Sequence, residues 1–129
     1  MVKRLLHTRL RVTHLDEALH FYCEVIGLKV ARSHTSPRGS KIAFLSIPEG
    51  LEEIELCEYP ASGKVQVQED LLHLAFEVDD MDQAIANLTL RGIPITDGPT
   101  TSSSGSRFAF IEAPDQYEIE LIERPHSRG

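Results

Sequence analysis

An α+β fold built from two βαβββ modules is predicted by two observations: the second half of the chain repeats the first, and each half alternates strand-like and helix-like hydrophobic periods in the same order. An offset of 66 positions carries His7 to His73, Val12 to Val78, Thr13 to Asp79, Asp16 to Asp82, Ala18 to Ala84, Ala43 to Ala109 and Phe44 to Phe110. Near the end of each half, Ile54-Glu55-Leu56 returns as Ile119-Glu120-Leu121 at an offset of 65, so one residue is lost in a turn. The modules span about 4–59 and 69–125, within one domain covering 1–129.

In the first module, residues 6–12 alternate as a strand. Thr13 followed by Asp16 resembles a helix-capping arrangement. Leu15, Leu19, Tyr22, Cys23 and Ile26 then fall on one helical face, and Gly27 ends the helix. Strands are expected near 28–33, 41–47 and 52–59. The second module repeats the order: a strand at 71–78, then a helix carrying Met81, Ile85 and Leu88 that stops at Gly92 with Pro94 beyond. Strands near 93–96, 107–112 and 117–123 complete it. Segments 60–68 and 97–106, rich in Pro, Gly, Ser and Thr, read as a linker and a mobile loop, and 126–129 as a frayed tail.

The 129 residues, 41% hydrophobic and 26% charged, suffice for one core and leave no room for a second large domain. No run approaches the roughly 18 apolar residues of a membrane span, and charges interrupt the start of the chain where a signal peptide needs an apolar stretch, so a cytoplasmic protein is expected. A net charge of -7 and a pI near 5.3 argue against nucleic acid and for a small-molecule partner. Cys23 and Cys57 are too few for a disulfide scaffold and read as small apolar fillers.

Successive strand residues point to opposite faces, so alternation decides which side chains meet. Leu6, Leu10 and Val12 share one face of the first strand, leaving Leu5, His7, Arg9 and Arg11 on the other. Leu72, Leu74, Phe76 and Val78 likewise oppose His73; Ile54 and Leu56 oppose Glu55; Ile119 and Leu121 oppose Glu120. With the apolar faces turned to the helices, two His and two Glu project from the open face. Imidazole with carboxylate suits a divalent transition metal, where four hard oxygens would suit calcium or magnesium. His14, His20, His34 and His126 read as solvated residues of turns, helix or tail, and the acidic pairs Glu52-Glu53 and Asp79-Asp80 as flanks of a turn and a helix start.

His7-Thr8-Arg9-Leu10-Arg11-Val12, the stretch 16–27 with Phe21-Tyr22, Ile54-Glu55-Leu56, His73 and Pro114-Asp115-Gln116-Tyr117-Glu118-Ile119-Glu120-Leu121 together resemble bacterial glyoxalase I, of the vicinal oxygen chelate superfamily, over almost the full length. The resemblance implies mixed sheets with a concave metal-binding face, and a symmetric homodimer whose sites lie between chains. His7 and Glu55 would come from one chain, His73 and Glu120 from the other, around one divalent ion, with Ni2+ or Co2+ favoured and Zn2+ possible. It also implies a substrate that is the thiol adduct of a 2-oxoaldehyde, the hemithioacetal of methylglyoxal with glutathione or another thiol. Glu120 would be the main base, moving a proton from C1 to C2 through an enediolate. Glu55 would hold the metal and assist on the other face, and Arg11 would meet a substrate carboxylate.

The chain departs from the family where Cys57-Glu58-Tyr59-Pro60 replaces an aromatic-bearing stretch with an Asn, where Thr101, Ser102 and Ser103 replace a basic loop residue, and where Gln116 replaces a Gly. The metal positions are unaffected, and the thiol carrier stays open. The stretch 73–80 also resembles methylmalonyl-CoA epimerase, although that enzyme uses a different second ligand than Glu55. Extradiol dioxygenases hold iron with two His and one carboxylate, so a fourth ligand disfavours them. A metal-free, antibiotic-sequestering module is the alternative outside enzymes, and four intact ligand positions argue against it.

Overall fold

The computed structural model describes residues 1–125, so the expected tail at 126–129 lies outside the described residues. The chain divides into two compact units, Met1–Gln66 and a second beginning at Val67. The first holds β1 (His7–Val12), α1 (Leu15–Leu19) continuing as a π-helical stretch (His20–Ile26), β2 (Lys29–Thr35), β3 (Lys41–Ser46) and β4 (Glu53–Glu58). The second holds β5 (His73–Glu77), α2 (Met81–Leu90), β6 (Asp97–Thr101), β7 (Arg107–Glu112) and β8 (Glu118–Glu123). Each unit is therefore βαβββ. The sheets run β1-β4-β3-β2 and β5-β8-β7-β6, with a parallel pair at β1·β4 and β5·β8 and antiparallel pairs elsewhere. The parallel pair follows from the connection: the last strand of each unit returns beside the first.

One face of each sheet is apolar and carries the core. In the first unit Leu45 stands opposite Ile54, and Leu56 lies between Ala43 and Leu10 in the ladder, all buried. In the second, Ala109 pairs with Leu121 and Ile111 with Ile119, again buried. Helix α1 packs on β4 and α2 on β8, and Tyr22, Met81, Leu45, Leu56, Ile111 and Ile119 are the largest fully buried side chains. Burying each such side chain contributes roughly 1.5–3 kcal/mol.

Both helices begin on a contact that only the fold supplies. The Leu15 amide donates to Glu58 Oε1 at 2.8 Å and the Met81 amide to Glu123 Oε1 at 2.9 Å, so the last residue of each unit's last strand satisfies a free N–H of the helix start. The N-cap is His14, one residue after the expected Thr13, and makes no side-chain cap bond; Thr13 Oγ1 accepts from the Val65 amide. That bond, with Val65 buried, ties down part of the expected linker. In the second unit Asp80 caps α2, accepting from the Gln83 amide at 3.1 Å.

Two further expectations are corrected. The first helix widens into π turns from His20, which shifts the inward face to Ala18, Phe21 and Tyr22 and leaves Leu15, Leu19, Cys23 and Ile26 only half-buried. Gly27, at φ 101°, ends it in the left-handed conformation. The strand expected near 93–96 is instead β6 at Asp97–Thr101, inside the segment read as a mobile loop. A register shift between Asp97 and Thr100 breaks its alternation. Gly98 has φ 90° there, and a Cβ would meet the Phe108 carbonyl oxygen at 2.8 Å, so a loop-like composition is what this bulged strand requires.

Candidate functional site

The polar face of the first unit is assembled by strand register. Arg9 of β1 and Phe44 of β3 flank Glu55 of β4, and Arg32 of β2 stands opposite Phe44. His7 Nε2 lies 3.4 Å from Glu55 Oε1. The His7 ring meets Phe44 edge-on, with centroids 5.3 Å apart. The Arg32 guanidinium sits 4.2 Å above the Phe44 ring. His34, read from the sequence as solvated, lies exposed in β2 and stacks on Phe44 at 6.3 Å.

Glu55 is 3% exposed, and an isolated carboxylate so buried is costly. Arg9 meets that cost with a fork: Nε donates to Oε1 and Nη2 to Oε2, each at 2.9 Å. These hydrogen bonds, with the Arg9 charge and smaller contributions from His7 and His34, hold the Glu55 carboxyl below the usual carboxylate range, against the opposing pull of desolvation. Arg32 makes a second fork to Glu53, both bonds at 2.9 Å.

The second unit repeats the His–Glu pair in different company. His73 Nε2 lies 3.1 Å from Glu120 Oε1, and Nδ1 lies 3.7 Å from Glu118 Oε1. Phe110, opposite Glu120, meets His73 edge-on at 5.7 Å, as Phe44 meets His7. The Glu120 side chain is 16% exposed. Where the first unit carries Arg9, Arg11 and Arg32, the corresponding positions are Ala75, Glu77 and, opposite Phe110 in the ladder, Asp97.

Of the residues expected from the sequence, His7 meets Glu55 and His73 meets Glu120, one pair in each unit. Among the described residues no three His, Cys, Asp or Glu side chains of the chain gather closely enough to hold a metal together. Arg11 donates through Nη1 to Ser62 Oγ. Arg9, Phe44 and Phe110 form part of the site without having been assigned a role. Recurrence of the two Phe at the repeat offset was the available signal for them; for Arg9 alternation showed the face but not the partner.

Residues 4–121 match the model of the Glyoxalase/Bleomycin resistance protein/Dioxygenase superfamily. The chain belongs to that superfamily. A lactoylglutathione lyase of Escherichia coli O157:H7 is 35% identical over 124 residues, covering 93% of this chain and 92% of that protein. A probable lactoylglutathione lyase of Synechocystis sp. is 32% identical over 123 residues, covering 92% and 94%. Among solved structures, the trypanothione-dependent glyoxalase I of Leishmania major superposes with a TM-score of 0.79 at 30% identity, covering 95% of this chain and 87% of that one. An antibiotic-binding protein from a Streptomyces species, at 21% identity and a TM-score of 0.76 over 96% and 98%, shares the fold.

Proposed function

We propose that this protein is a glyoxalase I-like lyase that isomerises the hemithioacetal of a 2-oxoaldehyde and a thiol to a 2-hydroxyacyl thioester, using one divalent metal. The observation that carries the reading is the twice-repeated pair of an imidazole and a carboxylate within 3.4 Å, each braced by a phenylalanine, in a chain whose curated relatives are named lactoylglutathione lyase.

The donor set fits such an ion. Two imidazole nitrogens and two carboxylates are the chemistry that nickel, cobalt and zinc accept. Glu55 is ionised and buried, and an ionised carboxylate offers about four lone-pair sites, of which the Arg9 fork uses two. His7 and Glu55 of one protomer, with His73 and Glu120 of its partner in a two-fold dimer, would hold the ion. Nickel or cobalt is favoured.

Lewis-acid polarisation of the substrate oxygens, which acidifies the adjacent C–H, is the chemistry a bound divalent cation supplies. The Glu120 carboxylate takes the proton from C1 and returns it to C2. Glu55 would hold the metal, and Arg11 would meet a carboxylate of the thiol carrier. The thiol is left open, since the Leishmania major relative is trypanothione-dependent.

Metal analysis of protein reconstituted with nickel, cobalt or zinc, followed by assays with hemithioacetals of glutathione and of other thiols, tests the reading. One ion per chain and conversion of at least one adduct are expected. Absence of any bound ion would overturn it; exchange of the α-proton of an acyl-CoA without hemithioacetal conversion would replace it with an epimerase.

A further inference from the structure

The internal repeat contains its own control. Glu55 and Glu120 occupy equivalent places, each opposite a Phe on one side, yet the residue on the other side is Arg9 for Glu55 and Ala75 for Glu120. We propose that Arg9 is a positioning residue that commits Glu55 to holding the metal, so that the absence of its counterpart at Ala75 leaves proton transfer to Glu120. The inference rests on the proposed metal-dependent lyase reading and deepens it.

The geometry carries the argument. The two 2.9 Å bonds engage both oxygens of Glu55, and Arg9 and Glu55 are direct neighbours across the parallel β1·β4 pair. A carboxylate held by a fork keeps one lone pair on each oxygen for a cation. It cannot swing toward a substrate C–H without breaking both bonds. Burial adds to the restraint, since the Glu55 side chain is 4% exposed while the Glu120 side chain is 16% exposed. A base that moves between two carbon atoms needs freedom, whereas a ligand gains from being fixed in advance.

The experiment uses the full chain and nickel ion as the probe, with affinity measured by competition against a chromophoric chelator and folding checked by circular dichroism. Arg9→Met is expected to raise the nickel dissociation constant by roughly tenfold or more. Arg9→Lys is expected to recover only part of that loss, because an ammonium keeps the charge without the fork; it decides the point if Arg9→Met fails to fold. Ala75 is exposed, so Ala75→Arg can place a fork on Glu120 without disturbing the core. At saturating nickel this variant is expected to lose roughly a hundredfold or more in kcat, the low end for general acid–base catalysis, with nickel affinity equal to or tighter than wild type. Nickel affinity in Arg9→Met at or above the wild-type level, or undiminished kcat in Ala75→Arg, would overturn the inference alone. A wild-type chain that binds no nickel, cobalt or zinc would instead overturn the underlying reading, and this inference with it.

Discussion

His73 Nε2 lies 3.1 Å from Glu120 Oε1 across the parallel pair of β5 and β8, an approach that His7 and Glu55 repeat at 3.4 Å across β1 and β4. In both pairs the imidazole is held edge-on by a Phe from the neighbouring antiparallel strand. Each imidazole is proposed as a ligand of the metal. His73→Ala is therefore expected to weaken nickel binding by about two orders of magnitude or more. Unchanged metal content in that variant would remove His73 from the ligand set.

Glu120 is proposed to carry the proton, so Glu120→Gln, which keeps shape and loses basicity, is expected to cost about 10²–10⁴ in kcat. KM is expected to change far less. Steady-state kinetics of the metal-loaded variant check this, and near-normal turnover would exclude Glu120 as the shuttle.

Arg11 contacts the Ser62 hydroxyl and shares the face of His7. As the proposed anchor for a substrate carboxylate it would act on binding, so Arg11→Ala is expected to raise KM by about tenfold, the worth of one charged hydrogen bond, with a smaller fall in kcat. The same variant is expected to show no penalty with a thiol carrier lacking a carboxylate. A fall in kcat alone would contradict the anchor role.

Asp80 caps α2 through the Gln83 amide, and the equivalent position in the first unit, His14, makes no such bond. Asp80→Ala is expected to destabilise the protein by about 1 kcal/mol. Urea denaturation followed by circular dichroism measures the loss, and a change in midpoint without a change in slope is expected.

Burial pushes the Cys23 thiol up from its ordinary value, and the neighbouring Glu24 charge adds to this. The folded state thus holds the thiol proton more tightly than the unfolded chain. The associated stability is fully present below the ordinary thiol range and is lost as pH rises through the raised value. Alkylation of Cys23 by iodoacetamide near pH 8 is expected to be slower in the folded protein than in the urea-unfolded chain, with the gap narrowing at higher pH. Equal rates in both states would refute the shift.

The sequence alone determined the repeat, the order of elements in each half, and the face on which His7, Glu55, His73 and Glu120 stand, because a period of two assigns faces without any knowledge of neighbours. It also marked Gly27 as a helix end, since the left-handed conformation found there favours glycine. Tertiary structure decided whatever depends on register. Which residue lies opposite Glu55 is a property of strand pairing, so Arg9 showed its face in the sequence and its partner only in the sheet. The Glu58 and Glu123 contacts that start the two helices link residues about 40 positions apart, beyond any local pattern. Strand β6 escaped detection because its bulge at Gly98 interrupts the alternation by which strands are recognised, and only the ladder to β7 identifies it as one.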